Sequence, residues 1–488
     1  MEIVTTKLVL ALLAPLIGAL LVVLTGKHPN LRETCSFIAA TVLFAIVASL
    51  VPEVWAGSKL SYHLFQILPG ISVSFRADYF SMIFALVASF LWMVTVVYSM
   101  GYMRGLQEHA QTRFNACFAL ALFGSIGCAF ADNLFTLYLF YEVVSISTYP
   151  LVAHHQDQEG YEAGEKYLVY LIGTVKGMVL PAMVGIYFLT GTLDFADNVH
   201  SGIISAGSSR PLVTVLYVCC LIGFAKNAIM PFHNWLPSAM VAPTPVSALL
   251  HAVAVVKVGV FSTSRVMLYI FGVNLMDEFN LGIPTAYFVS ITILLGSIIA
   301  LSKDNLKALL AYSTVSQLSY VILGVALLTP SGIQGGLVHI ANHAFSKITL
   351  FFCAGAIYVA THKKDISQMS GLGHVMPLTF SAFAIASLSM IGVPPVAGFV
   401  SKWYLVIGSL EAHQIGLLVV LLASTLLNAG YFVPVTYRAF FGTLAQADKD
   451  LKEASLVMVI PLLITAVISF AIGIFPDFFM SFVKGVLQ

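Results

Sequence analysis

The residues best placed to do chemistry in this chain are charged groups inside apolar stretches. Glu142 lies deep in the run LFTLYLFYEVVSISTYPLV. Five lysines also lie inside runs of hydrophobic residues: Lys176, Lys226, Lys257, Lys347 and Lys402. A charge at the centre of a bilayer costs about 2.5–3.5 kcal/mol even on lenient insertion scales, so such residues face a bundle interior and tend to be functional. Burial disfavours their charged forms, which makes proton exchange near neutral pH accessible to them.

Glu142 and Lys226 are expected to form a pair. At about 4 Å and an effective dielectric constant near 20, their attraction would be about 4 kcal/mol. Opening such a pair could release a proton from Lys226. The alternative is a static ion pair that only holds two helices together.

Two further groups lie on the apolar stretch that follows. His251 and Lys257 are six residues apart, which separates them by about 120° around a helix. They cannot share a narrow face, but both could touch a water-filled path through the bundle. For His251 the alternative is a buried histidine with satisfied hydrogen bonds, whereas Lys257 has no loop within reach of its side chain.

A third group follows one helical stripe in GLVHIANHAFSKITLFFCAG. His339, His343 and Lys347 recur at i, i+4 and i+8, and they could pass protons through intervening water. The HxxxH spacing also suits zinc, but no third ligand is evident in the sequence.

Lys402 follows an interruption at Gly392-Val393-Pro394-Pro395. Proline removes a backbone donor, and non-helical backbone at membrane depth is tolerated only where it is buried or lines a cavity. We therefore expect Lys402 to face such a cavity. Lys176 is close enough to the end of its span for its side chain to reach the membrane surface instead.

The composition requires a polytopic membrane protein. Hydrophobic residues make up 59% of the 488 residues and charged residues only 9%, far below the share of a soluble surface. The net charge of +1 and the lack of a basic block argue against a nucleic-acid partner. The six cysteines show no metal-ligand spacing.

Fourteen spans are predicted. They lie near residues 6–25, 35–51, 79–102, 114–130, 133–151, 167–189, 212–230, 246–269, 285–301, 306–328, 335–359, 377–410, 415–437 and 456–476. Loops after odd-numbered spans hold twelve lysines and arginines against six on the other side, which predicts both termini outside the cytoplasm. The stretches 52–78 and 191–211 are expected to be loops or interfacial segments.

Two spans contain a break with a lysine beside it. Lys226 precedes Pro231 by five residues, and Lys402 follows Pro395 by seven. The two spans are five apart, an odd number, so the repeats that contain them would be inverted in the membrane. Broken helices at corresponding positions of two halves point to a transport path.

These motifs together resemble a known family. They are FYEVVSISTYPLV, FAKNAIMPFHNWLPSAMVAPTPVSALLHAVAVVK, LKALLAYSTVSQLSYV, HIANHAFSKITLF and GVPPVAGFVSKW. In this order they resemble the proton-conducting antiporter-like membrane subunits shared by respiratory complex I, Mrp-type cation/proton antiporters and membrane-bound hydrogenases. The resemblance covers about spans three to thirteen.

The resemblance implies an all-α fold of about fourteen transmembrane helices, with spans 4–8 and 9–13 as inverted five-helix repeats and helices 7 and 12 broken. The corresponding division is an N-terminal part at 1–113, a first repeat at 114–269, a second at 285–437 and a C-terminal span at 438–488. Glu142 and Lys226 would be the family's essential pair, and Lys257 or His251 the bridging group. His339 and His343 would form the relay that ends at Lys402.

The expected function is proton translocation in a multi-subunit complex of a prokaryotic plasma membrane. The favoured complex is an Mrp-type antiporter, in which coupling to sodium needs partner subunits. The alternative is a redox-driven complex, either a membrane-bound hydrogenase or a complex I-like oxidoreductase. No iron-sulfur or flavin motif occurs in the sequence, so no cofactor is expected in this chain and redox chemistry would lie in other subunits. An inert membrane anchor is the third possibility. Length and Lys402 resemble D-type antiporter subunits or the related hydrogenase subunits. APTPVSALLHA instead resembles the large A-type antiporter subunit or the distal pump subunit of complex I.

Overall fold

The protein is a bundle of membrane-spanning helices. In a computed structural model, residues 2–488 are described, without the side chains of Glu2 and of residues 251–253. Within this part of the chain, twelve helices are long and apolar enough to cross a membrane, and two shorter apolar helices accompany them. The predicted all-α polytopic class is confirmed, whereas the count of fourteen spans stays a prediction.

The helices of the first part of the chain are α1 (Lys7–Leu24), α2 (Pro29–Ala48), α3 (Val51–Trp55), α4 (Tyr79–Gly105), α5 (Gln111–Phe130), α6 (Leu134–Val152), α7 (Gln158–Thr174), α8 (Leu180–Thr190), α9 (Arg210–Gly223), α10 (Trp235–Ser238), α11 (Thr244–Val246), α12 (Val255–Val266) and α13 (Val273–Glu278). Three π-helical segments continue these helices: Val175–Val179 joins α7 to α8, Ser247–Ala254 joins α11 to α12, and Met267–Phe271 extends α12.

The helices of the second part are α14 (Gly282–Leu301), α15 (Leu306–Ala326), α16 (Pro330–Thr361), α17 (Pro377–Ile391), α18 (Ala397–Glu411), α19 (Ile415–Phe441), α20 (Leu456–Ile474) and α21 (Asp477–Val486). Short 3₁₀ turns lie at Ala225–Asn227, Ala239–Val241, Ile366–Gln368, Leu372–His374 and Gln446–Asp448.

A small sheet occupies most of the stretch expected to be loop or interfacial segment at 52–78, which corrects that expectation. Its strands are β1 (Glu2–Val4), β2 (Lys59–Leu68) and β3 (Ile71–Ala77). β1 runs parallel to β2, and β2 pairs antiparallel with β3, from Leu60 opposite Ala77 to Leu68 opposite Ile71. The turn contains Pro69-Gly70, with Gly70 at a φ of +73°, so the Pro-Gly pair was the missed hairpin signal.

The first broken helix ends earlier than predicted. The sequence placed the span at 212–230, but α9 stops at Gly223 and Lys226 lies in the broken segment itself. Two side chains form hydrogen bonds with backbone groups that the break leaves without helical partners. The indole of Trp235 donates to the carbonyl of Ala225 at 2.9 Å, and the Lys226 amide donates to the Tyr141 hydroxyl at 3.0 Å. These bonds stabilise the early ending, because an unpaired buried backbone group is costly.

The second break lies where it was predicted. α17 ends at Ile391 and α18 begins at Ala397, on either side of the interruption at 392–395. Gly392 has a φ of +91°, a conformation that favours glycine. The local signal of one glycine and two prolines was therefore sufficient to locate this break.

Helices at the centre and the edge of the bundle differ in exposure. Every residue of α12 is buried, and most of α15 and α16 is buried as well. Peripheral helices instead expose large apolar side chains, such as Phe188 at 82% and Leu426 at 74%. Lys257, His339, His343 and Lys347 lie on the central helices α12 and α16, so protein rather than lipid surrounds these groups.

Candidate functional site

Lys226 is held by α6. Its side chain is fully buried, and Nζ donates to the Tyr141 carbonyl at 2.9 Å and to Ser145 Oγ at 2.6 Å. Nζ also lies 3.2 Å from the centroid of the Tyr141 ring, a cation–π distance. Neutral oxygens and an aromatic face thus surround the ammonium group.

Glu142 lies next to these groups but does not form the predicted direct pair. Across the part of the chain described, no carboxylate oxygen of Glu142 comes within 4.0 Å of Lys226 Nζ, and Glu142 Oε1 is buried without a hydrogen-bond partner. The physical reason is competition for the ammonium group of Lys226. It already donates hydrogen bonds to the Tyr141 carbonyl and Ser145 Oγ, which lie on the same helix as Glu142. Glu142 itself is half-buried, at the edge of the site.

Lys257 and His343 meet in the middle of the bundle. Lys257 Nζ lies 2.6 Å from His343 Nδ1, and both side chains are almost completely buried. They come from α12 and α16, which are 86 residues apart at this contact. The side chain of His251 lies outside the described residues, so its proposed role stays a prediction.

His339 continues this row toward the second break. Its Nδ1 lies 2.8 Å from Ser401 Oγ, and its ring is 5.9 Å from that of His343. The ring of Tyr320 lies 5.5 Å from His339 on one side and 5.3 Å from Lys402 Nζ on the other. The zinc alternative for HxxxH gains no support from this geometry, because among the described residues no third His, Cys, Asp or Glu ligand atom gathers with these two rings.

Lys402 projects back toward the end of α17. Its Nζ donates to the carbonyls of Ile391 at 2.7 Å and Met390 at 3.0 Å, and it lies 3.4 Å from Thr425 Oγ1. These carbonyls belong to the last turn of α17, where helical partners are missing and the helix dipole is negative. The lysine therefore caps the broken helix.

Lys347 has a polar connection to Lys402. Its Nζ donates to Ser313 Oγ at 2.8 Å, and the Tyr431 hydroxyl oxygen lies within hydrogen-bonding distance of the same Oγ, at 3.1 Å. Tyr431 is also hydrogen-bonded to Asn428, whose amide lies 3.4 Å from the Met390 carbonyl that accepts from Lys402. Side chains of α15 and α19, together with the Met390 carbonyl of α17, thus connect the two lysines.

Lys176 lies at the edge of this row, near enough to Glu142 to interact with it electrostatically. It falls in the π-helical segment between α7 and α8, and it is exposed on the outside of the bundle. The structure does not bring it into hydrogen-bond contact with the other lysines in the part of the chain that is described.

Sequence reasoning missed an ionic cluster at one end of the bundle. Arg265, counted among the loop cations, is fully buried in α12 and lies 2.6 Å from Asp78, the residue that caps α4. Burial opposes ionisation of Asp78, but Arg265 and Arg76 outweigh it and hold the pKa of Asp78 below its usual range. For Asp132, 3.2 Å from Arg76, burial dominates and raises the pKa. The only sequence signal was an arginine near the end of a span.

Several neutral side chains of the row were also missed. Tyr141, Ser145, Tyr320, Ser401 and Tyr431 each contact an ionisable residue or its hydrogen-bonding partner. Serine and tyrosine are ordinary packing residues of membrane helices, so their presence alone carried no signal.

Comparison with known proteins decides the family. Residues 131–428, more than half of the chain, match the family model described as NADH:quinone oxidoreductase/Mrp antiporter, TM. The chain belongs to this NADH:quinone oxidoreductase/Mrp antiporter family. Residues 69–115 match a second model, described as NADH-Ubiquinone oxidoreductase (complex I), chain 5 N-terminus.

Relatives in the NADH:quinone oxidoreductase/Mrp antiporter family are named either as NADH-quinone oxidoreductase subunits or as antiporter subunits. NADH-quinone oxidoreductase subunit N of Desulforudis audaxviator is 33% identical over 412 residues, which cover 80% of each chain. A probable K(+)/H(+) antiporter subunit of Rhizobium meliloti is 32% identical over 88% of this chain but only 42% of that protein. NADH-quinone oxidoreductase subunit L of Mycobacterium tuberculosis is 33% identical over 93% of this chain and 72% of that protein.

Solved structures show the same fold. A chain of the Mrp complex from Dietzia sp. DQ12-45-1b superposes with a TM-score of 0.87 at 23% identity, covering 99% of this chain and 96% of that one. A chain of the archaeal membrane-bound sulfane sulfur reductase superposes with a TM-score of 0.88 at 24% identity, covering 99% of this chain and 98% of that one. At these identities the likeness establishes the architecture alone.

Proposed function

We propose that this chain is a proton-translocating subunit of a multi-subunit membrane complex, in the first place an Mrp-type monovalent cation/proton antiporter. The observation that carries the proposal is the row of buried ionisable side chains through the centre of the bundle. Four residues of this row are Lys226, Lys257, His343 and Lys402, and each is at most 8% exposed. Charges buried at membrane depth mark ion and proton pathways in membrane proteins.

The proposed transfer begins at the first break. Lys226 gives its proton toward Lys257, with Glu142 as the carboxylate whose approach or withdrawal changes the charge balance of the ammonium group. Lys257 then passes a proton across its 2.6 Å contact to His343 Nδ1, which leaves a neutral amine and an imidazolium. Intervening water completes the steps that no direct hydrogen bond bridges.

In the second half, the proton moves from His343 to His339 and then to Lys402. The imidazole Nε2 atoms of both histidines are buried and have no hydrogen-bond partner within residues 2–488 as described, so each can meet water. Lys347 is joined to Lys402 by the polar side chains of Ser313, Tyr431 and Asn428, and it serves as a side branch of the same path. His251 remains a candidate for bridging at α12.

A redox-driven complex is the second candidate. The relative named NADH-quinone oxidoreductase subunit N matches 80% of both chains, whereas the antiporter relative from Rhizobium meliloti matches over less than half of its own length. In this alternative the chain conducts protons in the same way, and electron carriers lie in other subunits. Proteins that co-purify with the chain would separate the two, because only the redox complex contains iron-sulfur or flavin subunits.

The topology is part of the proposal. Twelve basic loop residues against six favour both termini outside the cytoplasm of a prokaryotic cell. The two breaks, each with a buried lysine, support a division into inverted five-helix repeats at 114–269 and 285–437. Other membrane subunits are the expected partners, and protons with Na⁺ the expected transported ions.

Proton movement in proteoliposomes of the intact complex tests the proposal. We expect Glu142→Gln and Lys226→Ala to abolish it, since each removes a proton-exchanging group. Glu162→Gln serves as the matched control, because this carboxylate is exposed on α7. Normal proton movement by assembled Glu142→Gln and Lys226→Ala complexes would refute the path.

A further inference from the structure

A second cluster of ionisable groups lies outside the row of buried lysines. Glu108 and His109 occupy the loop between α4 and α5, and His154 follows the end of α6. One ligand atom from each of the three side chains lies within 4.8 Å of the others. Two loops that are distant in sequence therefore bring two imidazoles and a carboxylate together.

The ring of His154 is the decisive feature of this cluster. It is completely buried, yet neither of its nitrogens has a hydrogen-bond partner in the described portion of the chain. Its Nε2 points at Glu108 and lies 3.7 Å from Oε2, too far for a hydrogen bond. A buried polar ring without partners is costly, so it calls for a ligand.

The surroundings hold these groups in place. Arg113 donates to the backbone carbonyl of His154 at 2.7 Å, which fixes the chain while leaving the ring nitrogens free. Gln111 donates to the backbone carbonyl of Glu108 at 3.0 Å. His155 Nε2 lies 3.4 Å from Glu108 Oε1, the oxygen on the other side of the carboxylate.

We propose that Glu108, His109 and His154 form a binding site for a divalent transition-metal ion of the zinc type. Two imidazoles and one carboxylate are an established zinc ligand set that leaves a fourth position for water. Tetrahedral zinc, with bonds of about 2.0–2.2 Å, holds its ligand atoms about 3.4 Å apart. The exposed His109 side chain can turn inward by the ångström or so that closure requires.

The role of His155 follows from the same geometry. With a metal on Glu108 Oε2, His155 would hold the remaining oxygen, as partners of metal-bound carboxylates commonly do. His155 and Glu108 also line a cavity of about 460 Å³ between α4, α15 and the 363–364 segment. The exposed edge at His109 and this cavity provide access for the ion.

Zinc binding by the purified intact complex tests the site. After chelation of resident metal, Zn²⁺ is titrated into wild type, Glu108→Gln, His109→Ala and His154→Gln, and bound metal per complex is measured by competition with a chromophoric chelator. We expect each variant to bind one zinc ion fewer than wild type. Co²⁺ in place of zinc should give tetrahedral visible bands in wild type that the variants lose.

Two further variants make the outcome unambiguous. His28→Gln removes an exposed histidine and should bind as wild type, while His155→Gln should keep the stoichiometry with about 10–100-fold weaker affinity. Because His109 is exposed, His109→Ala tests the site even if His154→Gln fails to fold. Unchanged zinc stoichiometry and affinity in His109→Ala and Glu108→Gln would overturn the proposal. Neither result depends on whether the chain moves protons.

Discussion

Each broken helix buries a lysine beside its break, and the two ammonium groups find their hydrogen-bond acceptors in different ways. At the first break, Lys226 lies in a 3₁₀ turn of the broken segment and reaches out to another helix, where Tyr141 and Ser145 accept its hydrogen bonds. At the second, Lys402 lies on the helix after the break and reaches back to the carbonyls of Met390 and Ile391. One lysine joins two helices, and the other closes the end of its own broken helix.

The electrostatic surroundings differ accordingly. Neither lysine forms an ion pair within the described chain. Lys226 nevertheless has the Glu142 carboxylate nearby, on the helix that holds it, whereas the groups that contact the ammonium group of Lys402 are neutral. The charge of Lys402 is balanced by backbone dipoles, which cannot titrate. The charge beside Lys226 can therefore change when Glu142 gains or loses a proton. The dipoles around Lys402 at the second break stay fixed. The comparison explains why a movable Glu142 is central to our proposal.

The largest expected effect concerns how closely α12 approaches the first break. A Cβ atom at Gly259 would lie 2.2 Å from backbone atoms of Lys226 and Asn227. We expect Gly259→Ala to destabilise the protein by about 3 kcal/mol or more, since backbone cannot give way as a side chain does. Thermal unfolding of the detergent-solubilised complex measures this. Gly392→Ala, which meets only the flexible Lys402 side chain at 2.6 Å but carries a φ of +91°, should cost less.

The glycine comparison has a simple control. Gly177 has no atom within 4 Å of the Cβ position, so Gly177→Ala should leave the unfolding temperature unchanged. An unfolding temperature for Gly259→Ala equal to that of Gly177→Ala would mean that the close approach at the first break is not structurally required.

The next prediction concerns proton release by Lys226 and Lys402. Arginine keeps the positive charge but does not lose its proton at physiological pH. We expect Lys226→Arg and Lys402→Arg each to slow proton movement in proteoliposomes at least about tenfold, a loss of about 1.4 kcal/mol. Lys27→Arg is the matched control, because this lysine is exposed in the loop between α1 and α2. If Lys402→Arg alone kept normal proton movement, Lys402 would only cap the end of α17 and would not release protons.

The third effect concerns stability and compares the hydrogen-bond partners of the two lysines. Ser145 accepts from Lys226 at 2.6 Å, whereas Thr425 lies 3.4 Å from Lys402. Ser145→Ala should cost about 1.5–3 kcal/mol, the usual worth of a hydrogen bond to a charged group, and Thr425→Val less than about 0.5 kcal/mol. Chemical denaturation of the two variants measures the difference. Equal losses would show that the anchoring of the lysines is the same in both halves.

Much of the architecture was predictable from the sequence. Hydropathy located the twelve long apolar helices of the described chain, because bilayer thickness imposes their length. Gly392 with two prolines located the second break within a residue or two. The first break was placed seven residues late, because α9 ends at Gly223 in an apolar run without proline. Its ending depends on Trp235 and Tyr141, which satisfy the freed backbone from elsewhere in the fold.

The sequence by itself determined that lysines, histidines and one glutamate are buried in a membrane bundle, since composition and spacing are local properties. Only the tertiary structure decided which of these groups meet. It joined Lys257 to His343, placed Glu142 beside Lys226 without direct contact, and gathered Glu108, His109 and His154 from separate loops. The physical reason is that such contacts depend on how helices rotate and approach one another. That rotation is set by packing over the whole bundle.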